Sequence, residues 1–145
     1  MSIEVLLVED SPGDVRLTRE ALHAANPQIK LHVVSDGAEA LAYLMQTGTR
    51  VGEPRPHLVL LDLNLPRVDG REVLATIKGT EHLKAIPTII LTTSTAQEDV
   101  VNCYELQANC YFNKPVELDE FLNMVRCIND FWLNKAKLPN GRFDA

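Results

Sequence analysis

Asp62 ends a run of four aliphatic residues, Leu58-Val59-Leu60-Leu61, and is followed by Leu63-Asn64-Leu65-Pro66 and then Asp69-Gly70. A short aliphatic run bounded by turn residues predicts a strand buried on both faces. A carboxylate at the carboxyl end of such a strand sits where open α/β sheets bind their ligands. Other apolar runs end in complementary groups: Ile3–Val8 in Glu9-Asp10, Thr88–Leu91 in Thr92, and Cys110–Asn113 in Lys114. Brought together, the carboxylates of Glu9, Asp10 and Asp62 would repel one another. A hard divalent cation relieves that repulsion, and an all-oxygen donor set selects magnesium or calcium over zinc. A carboxylate beside such an ion can act as nucleophile toward a phosphoryl group and become an aspartyl phosphate. A lysine and a hydroxyl nearby would neutralise and hydrogen-bond the transferred oxygens. Taken singly, Glu9-Asp10 is a turn cap, Lys114 a solvated lysine and Thr92 an ordinary strand-end threonine. Only their convergence makes a site.

Convergence requires that the strands run parallel, and the pattern predicts that they do. Apolar runs alternate with helical patterns five times along the chain. After the first strand, Ser11 is placed to cap a helix with Pro12 at its first position, and Asn26-Pro27 stops it. A second strand, Ile29–Val34, precedes a helix predicted from Ala38 to Gln46. Thr47 to Pro56 is a polar loop longer than most such connections. Helical patterns follow from about Arg71 to Lys78 and from about Ala96 to Leu106. A last one runs from Leu118 at least to Trp132, and Leu138-Pro139-Asn140-Gly141 reads as a loose tail. Asp36 and Asp69, each before a glycine, are expected to form turns, and Met45 and Met124 to lie in the core. Five βα units predict a doubly wound α/β sandwich, a parallel sheet with helices on both faces. The residues following strands one, three, four and five then share one edge.

The 145 residues suffice for one domain, expected at 1–133 with a tail at 134–145. The formal charge is −6, which argues against a nucleic-acid surface. No apolar run approaches membrane-spanning length, and no basic signal region precedes Ile3. Three cysteines, Cys103, Cys110 and Cys127, form no CxxC pair and predict free thiols in a reducing cytoplasm. His23, His32, His57 and His82 show no metal-ligand spacing.

These residues resemble the receiver domain of two-component response regulators. The stretches that carry the resemblance are Leu6-Leu7-Val8-Glu9-Asp10, Leu60-Leu61-Asp62-Leu63-Asn64-Leu65-Pro66 with Asp69-Gly70, Pro87-Thr88-Ile89-Ile90-Leu91-Thr92, and Asn113-Lys114-Pro115. The resemblance covers roughly residues 3 to 130 and implies a flavodoxin-like (βα)5 fold with strand order 2-1-3-4-5. It implies Asp62 as phosphoacceptor and Asp10 as a direct Mg²⁺ ligand. Glu9 would help through water, and Asn64 would offer its backbone carbonyl to the metal. Manganese or calcium could occupy the same place. Thr92 would move toward the phosphoryl group, Lys114 would pair with it, and Tyr111 would rotate inward as Thr92 shifts. The Lys114–Pro115 bond would be cis. A narrower resemblance, in Gly70-Arg71-Glu72-Val73-Leu74, Tyr104-Glu105-Leu106, Asn109-Cys110-Tyr111 and Phe131-Trp132-Leu133, is to the small regulators paired with bacterial and cyanobacterial phytochromes. It implies a red/far-red light-sensing histidine kinase as phosphoryl donor. Some members of that subgroup carry serine after the switch lysine, where this chain has Pro115.

No output domain is expected after the last helix, so the signal would leave through a protein surface. Phe131, Trp132 and Leu133 are large apolar residues there. They predict a homodimer through the fourth helix, fifth strand, fifth helix and C-terminal extension. The alternative is that the three fold back onto the domain's own core. Three rival functions fit the residues less well. A phosphatase of the aspartyl-nucleophile type would need a second aspartate where Asn64 stands. A flavodoxin-like cofactor binder would need a phosphate-cradling loop where Glu9-Asp10 stands. An adaptor with a vestigial site would not need the complete acidic set and Lys114.

Overall fold

The computed structural model describes residues 2–139. Five strands, β1 (Ile3–Val8), β2 (Ile29–Val34), β3 (Leu58–Leu61), β4 (Thr88–Thr92) and β5 (Cys110–Asn113), alternate with five helices. These are α1 (Pro12–Ala25), α2 (Gly37–Met45), α3 (Gly70–Gly79), α4 (Gln97–Glu105) and α5 (Leu118–Ile128). All strand pairs are parallel and the order is β2-β1-β3-β4-β5. This is the doubly wound sandwich expected from the alternation, with the flavodoxin-like strand order that the family resemblance implies.

Side-chain alternation along the strands divides the core in two. Leu6, Val8, Val59, Leu61 and Ile90 face α2, α3 and α4, where they meet Tyr43, Leu44, Val73, Leu74, Ile77 and Cys103. Val5, Leu7, Leu58, Leu60 and Ile89 face α1 and α5, where they meet Leu22, Phe121, Met124, Val125 and Ile128. Burial on both faces explains why these strands read as unbroken aliphatic runs. The register fixes the functional edge: Val8 pairs with Leu61, Leu61 with Ile90 and Ile90 with Tyr111. The residues that follow therefore emerge side by side.

Helix starts are set locally. Ser11 Oγ accepts the Asp14 N–H at 3.3 Å, and Pro12 holds the first position of α1. Asp36 and Asp69, expected as turn formers, are N-caps: each side chain accepts a backbone N–H, from Glu39 at 2.8 Å and from Arg71 at 2.8 Å. The glycines after them serve close approach. A Cβ on Gly37 would lie 1.9 Å from the Val68 carbonyl oxygen, and one on Gly70 2.2 Å from that of Asp62.

Four expectations need correction. The last helix is not α-helical to Trp132, because Asn129–Lys135 widens into a π-helical segment. Its i→i+5 pitch lets Leu133 join Ile128 in the same core cluster. Met124 is buried, but Met45, the last residue of α2, is exposed. No peptide bond among the described residues is cis; Lys114–Pro115 is trans, the geometry that X–Pro bonds favour by about 0.5–1 kcal/mol. Leu138 packs against the second core cluster and is not loose, while Asn140-Gly141 of the expected tail lie outside the described residues. The loop before β3 contains a 3-10 turn, Gly48–Arg50. The Gln46 side chain ties it down, bonding the carbonyls of Tyr43 and Glu53 and the N–H of Gly52.

Candidate functional site

The carboxyl ends of β1, β3 and β5, together with the first turn of α1, bring one ammonium among three carboxylates. The Asp62 N–H bonds the Val8 carbonyl at 3.1 Å, which sets Asp62 beside Glu9. Lys114 follows β5, and its own N–H bonds the Thr92 carbonyl at 2.7 Å. From there its Nζ donates to Glu9 Oε1, to Asp14 Oδ2 at 3.0 Å and to Asp62 Oδ2 at 3.1 Å. The Lys114 side chain is 6% exposed, Glu9 3% and Asp62 7%. The remaining Asp62 oxygen faces the Asn64 N–H at 3.4 Å, and Glu9 Oε2 accepts the Ser11 N–H at 3.1 Å.

One ammonium cannot neutralise three carboxylates, and the titration shifts show where the excess falls. Burial pushes the Glu9 carboxyl up to about 7, with Lys114 pulling it down and Asp62 adding repulsion. Burial also works against the Lys114 ammonium. Its bonds to Glu9 and Asp14 and the field of Asp62 outweigh that and hold its pKa above the usual lysine range. The lysine stays charged, and the surplus negative charge is what the site leaves unbalanced.

That surplus fits a divalent cation. Oxygen atoms of Glu9, Asp10 and Asp62 lie within 4.8 Å of one another, and Asp10 is exposed, so the group opens to solvent on one side. The donors are all hard oxygens, as magnesium, manganese and calcium require and structural zinc does not. It is the only such group of acidic, histidine or cysteine ligands among the described residues.

The other expected residues sit around this centre. Thr92 is fully buried at the end of β4, and its Oγ1 accepts the Ser94 N–H at 3.3 Å. Tyr111 is half-buried against the first core cluster, and its hydroxyl donates to the Ser94 carbonyl at 3.0 Å. Burial raises the pKa of that hydroxyl, so it remains a donor. Asn64 is exposed at the mouth. Phe131, Trp132 and Leu133 lie away from this edge and split in role. Leu133 is 7% exposed and belongs to the core, Trp132 packs partly against it, and Phe131 is 58% exposed with its ring edge-on to Trp132.

Sequence reasoning missed Asp14, Ser94, Asp99 and Arg71. Asp14 lies in the first turn of α1, and no local signal in the sequence shows that a lysine 100 residues later reaches it. Ser94 lies in the loop after β4, where its carbonyl also takes the Asn113 side-chain amide.

Comparison with known proteins agrees with this geometry. The family profile described as "Response regulator receiver domain" matches residues 5–126. The response regulator Rcp1 of Synechocystis sp. is 48% identical over 135 residues, covering 93% of this chain and 92% of Rcp1. The crystal structure of the phosphorylated cyanobacterial phytochrome response regulator RcpA superposes with a TM-score of 0.94 at 44% identity, covering 97% of this chain and all of that one (100%). The Mn(2+)-bound form of Rcp1 superposes with a TM-score of 0.93 at 47% identity, covering 95% of this chain and 99% of that one. Among the described residues no helix is long and apolar enough to cross a membrane.

Proposed function

The chain belongs to the response regulator receiver family, and from that premise we propose that it takes a phosphoryl group onto Asp62 from a sensor histidine kinase of the phytochrome type. Its likeness to Rcp1 and RcpA, both cyanobacterial and the latter described as a phytochrome response regulator, supports the choice of donor. The observation that carries the reading is the meeting of three carboxylates with the buried Lys114 ammonium at one sheet edge.

In the transfer, an Asp62 oxygen attacks phosphorus, the P–N bond to the donor histidine breaks, and the donor ring, already protonated on its other nitrogen, leaves as neutral imidazole. Lys114 releases one carboxylate and pairs with a phosphoryl oxygen, at little cost because Asp14 and Glu9 remain beside it. The Thr92 hydroxyl accepts from Ser94 and keeps its own proton to donate to the phosphoryl group. A Mg²⁺ held by Glu9, Asp10, Asp62 and the Asn64 carbonyl would offset the negative charge gathered there. The chain thus promotes its own phosphorylation by the donor.

The signal would leave through α4, β5, α5 and the segment beyond, as a homodimer contact. Val101, Tyr104, Val116, Leu118 and Phe131, on α4, before and within α5 and beyond it, are exposed apolar residues. Sedimentation of Phe131→Asp, before and after phosphorylation, tests this contact; an unchanged mass in both states removes it.

The donor is tested by mixing the chain with a phosphorylated phytochrome-type kinase and Mg²⁺ and following transfer to wild type and Asp62→Asn. Transfer to wild type alone is expected. If acetyl phosphate labels the chain but no such kinase does, the donor assignment fails and the receiver chemistry stands.

A further inference from the structure

The Gly70-Arg71-Glu72 signature has no part in the phosphoryl chemistry, yet Arg71 ends in a defined place. Its guanidinium spans two elements. Nη1 bonds Asp69, the N-cap of α3, at 3.1 Å, and Nη2 bonds Asp99, in the first turn of α4, at 2.8 Å. The other Asp99 oxygen accepts the Ser94 hydroxyl at 2.5 Å. Ser94 is where the switch residues meet: its N–H holds the Thr92 hydroxyl, and its carbonyl takes the Tyr111 hydroxyl. A continuous path therefore runs from the cap of α3, behind the phosphoacceptor loop, to the loop that carries Thr92 and the aromatic switch.

The first turn of α4 has no other cap. Ala96 offers no side-chain acceptor, and Ser94 Oγ reaches the Ala96 N–H only at 3.4 Å. Asp99 is placed to favour the helix N-terminus. The Ser94 hydroxyl and then Arg71 hold its carboxyl below the usual carboxylate range, so the link persists through neutral pH. α4 is thus fastened to α3 by one arginine.

Building on the receiver reading, we infer that Arg71 is a positioning residue: its bridge to Asp99 holds Ser94 where the Tyr111 hydroxyl can turn inward, and so biases the switch toward its phosphorylated form before phosphorylation. The bridge touches neither the metal group nor the phosphoryl group. Cutting it moves the equilibrium between switch states and leaves the chemistry of Asp62 intact.

The test uses the full chain labelled with 3-fluorotyrosine. Its three tyrosines, Tyr43, Tyr104 and Tyr111, give three ¹⁹F resonances, and Tyr111→Phe assigns the third. Arg71→Gln and Asp99→Asn are compared with wild type, as is the double variant. The Tyr111 resonance is expected to move toward a solvent-exposed position in each. The beryllofluoride concentration for half-saturation should rise roughly threefold to tenfold, the size of coupling changes made by residues between sites. Mg²⁺ affinity should stay unchanged. The double variant should match the singles, since one link is lost once, and Arg71→Lys should recover part of the effect. An unmoved Tyr111 resonance with unchanged beryllofluoride affinity overturns the inference. If Arg71→Gln does not fold, Ser94→Ala removes the same link without unpairing a charge, and the same two readings decide. A wild type that binds neither beryllofluoride nor a phosphoryl group would overturn the receiver reading itself.

Discussion

Replacing Lys114 with methionine should destabilise the metal-free protein and make a divalent cation its stabiliser. The Lys114 side chain is 6% exposed, and its ammonium is the positive group that bonds Glu9, Asp14 and Asp62 together. Methionine fills much of the same volume but leaves the carboxylates facing each other. Removing one partner of a buried ion pair costs about 3–5 kcal/mol. A chain of this size melts roughly 2–4 °C lower per kcal/mol lost, so the midpoint should fall by roughly 6–20 °C. Part of that is relieved as buried carboxyls take up protons, which places the observed value toward the lower end. The same substitution removes a cation that competes with the metal, so affinity for Mg²⁺ or Mn²⁺ should rise at least roughly tenfold. Thermal melts of wild type and Lys114→Met across a metal titration measure both effects. Saturating metal should restore most of the lost stability in the variant and add less to wild type. Acetyl phosphate should label the variant far more slowly despite the tighter metal. A variant that melts like wild type and ignores the metal would refute the charge balance described above.

Other expectations follow from the same geometry. Asp14 lies at the solvent side of the lysine, with its side chain 31% exposed, so Asp14→Asn should cost less than about 1 kcal/mol; a melt as low as that of Lys114→Met would show that Asp14, not Glu9 and Asp62, holds the ammonium. Burial raises the Glu9 carboxyl from 4.5 to about 7 in the folded chain, so the folded state keeps a proton that the unfolded state has lost between those values. The metal-free protein should therefore gain stability, by at most about 3 kcal/mol, as pH falls from about 7 toward 5, and lose it as pH rises through about 7. Saturating Mg²⁺, which needs the carboxylate, should flatten that slope in chemical denaturation at several pH values; a slope of opposite sign contradicts the assignment. In Gly70→Ala, the new methyl would sit 2.2 Å from the Asp62 carbonyl oxygen and 2.6 Å from Leu63 Cα, so α3 or the end of β3 must shift. The cost should exceed about 3 kcal/mol, the top of the range for overpacking, and phosphorylation should slow because Asp62 moves with the strand end. A melt within experimental error of wild type would contradict this packing.

The strands and the acidic centre were legible because they depend on short-range signals and one topological rule. Buried parallel strands appear as aliphatic runs, and parallel connection forces their ends to one edge, so Glu9, Asp10, Asp62, Thr92 and Lys114 could be gathered without coordinates. What stayed hidden depends on tertiary approach. Asp36 and Asp69 looked like turn residues because Asp-Gly is ambiguous; only the closeness of Gly37 to Val68 and of Gly70 to Asp62 shows why glycine is needed. The apolar residues after Asn129 looked like a continued α-helix, since no periodicity over so few residues distinguishes it from the π-helical turn that buries Leu133. Asp14 and the Arg71–Asp99 bridge join residues whose partners lie on other elements, and a single sequence carries no mark of that pairing.

The central claim is that Asp62 accepts a phosphoryl group with help from a divalent cation. The intact mass of the chain should be measured after treatment with acetyl phosphate, with and without Mg²⁺, for wild type and Asp62→Asn. The account predicts one phosphoryl adduct on wild type, dependent on Mg²⁺, labile in base and absent from the variant. An adduct that persists in Asp62→Asn, or none on wild type under conditions that label another receiver, would contradict it.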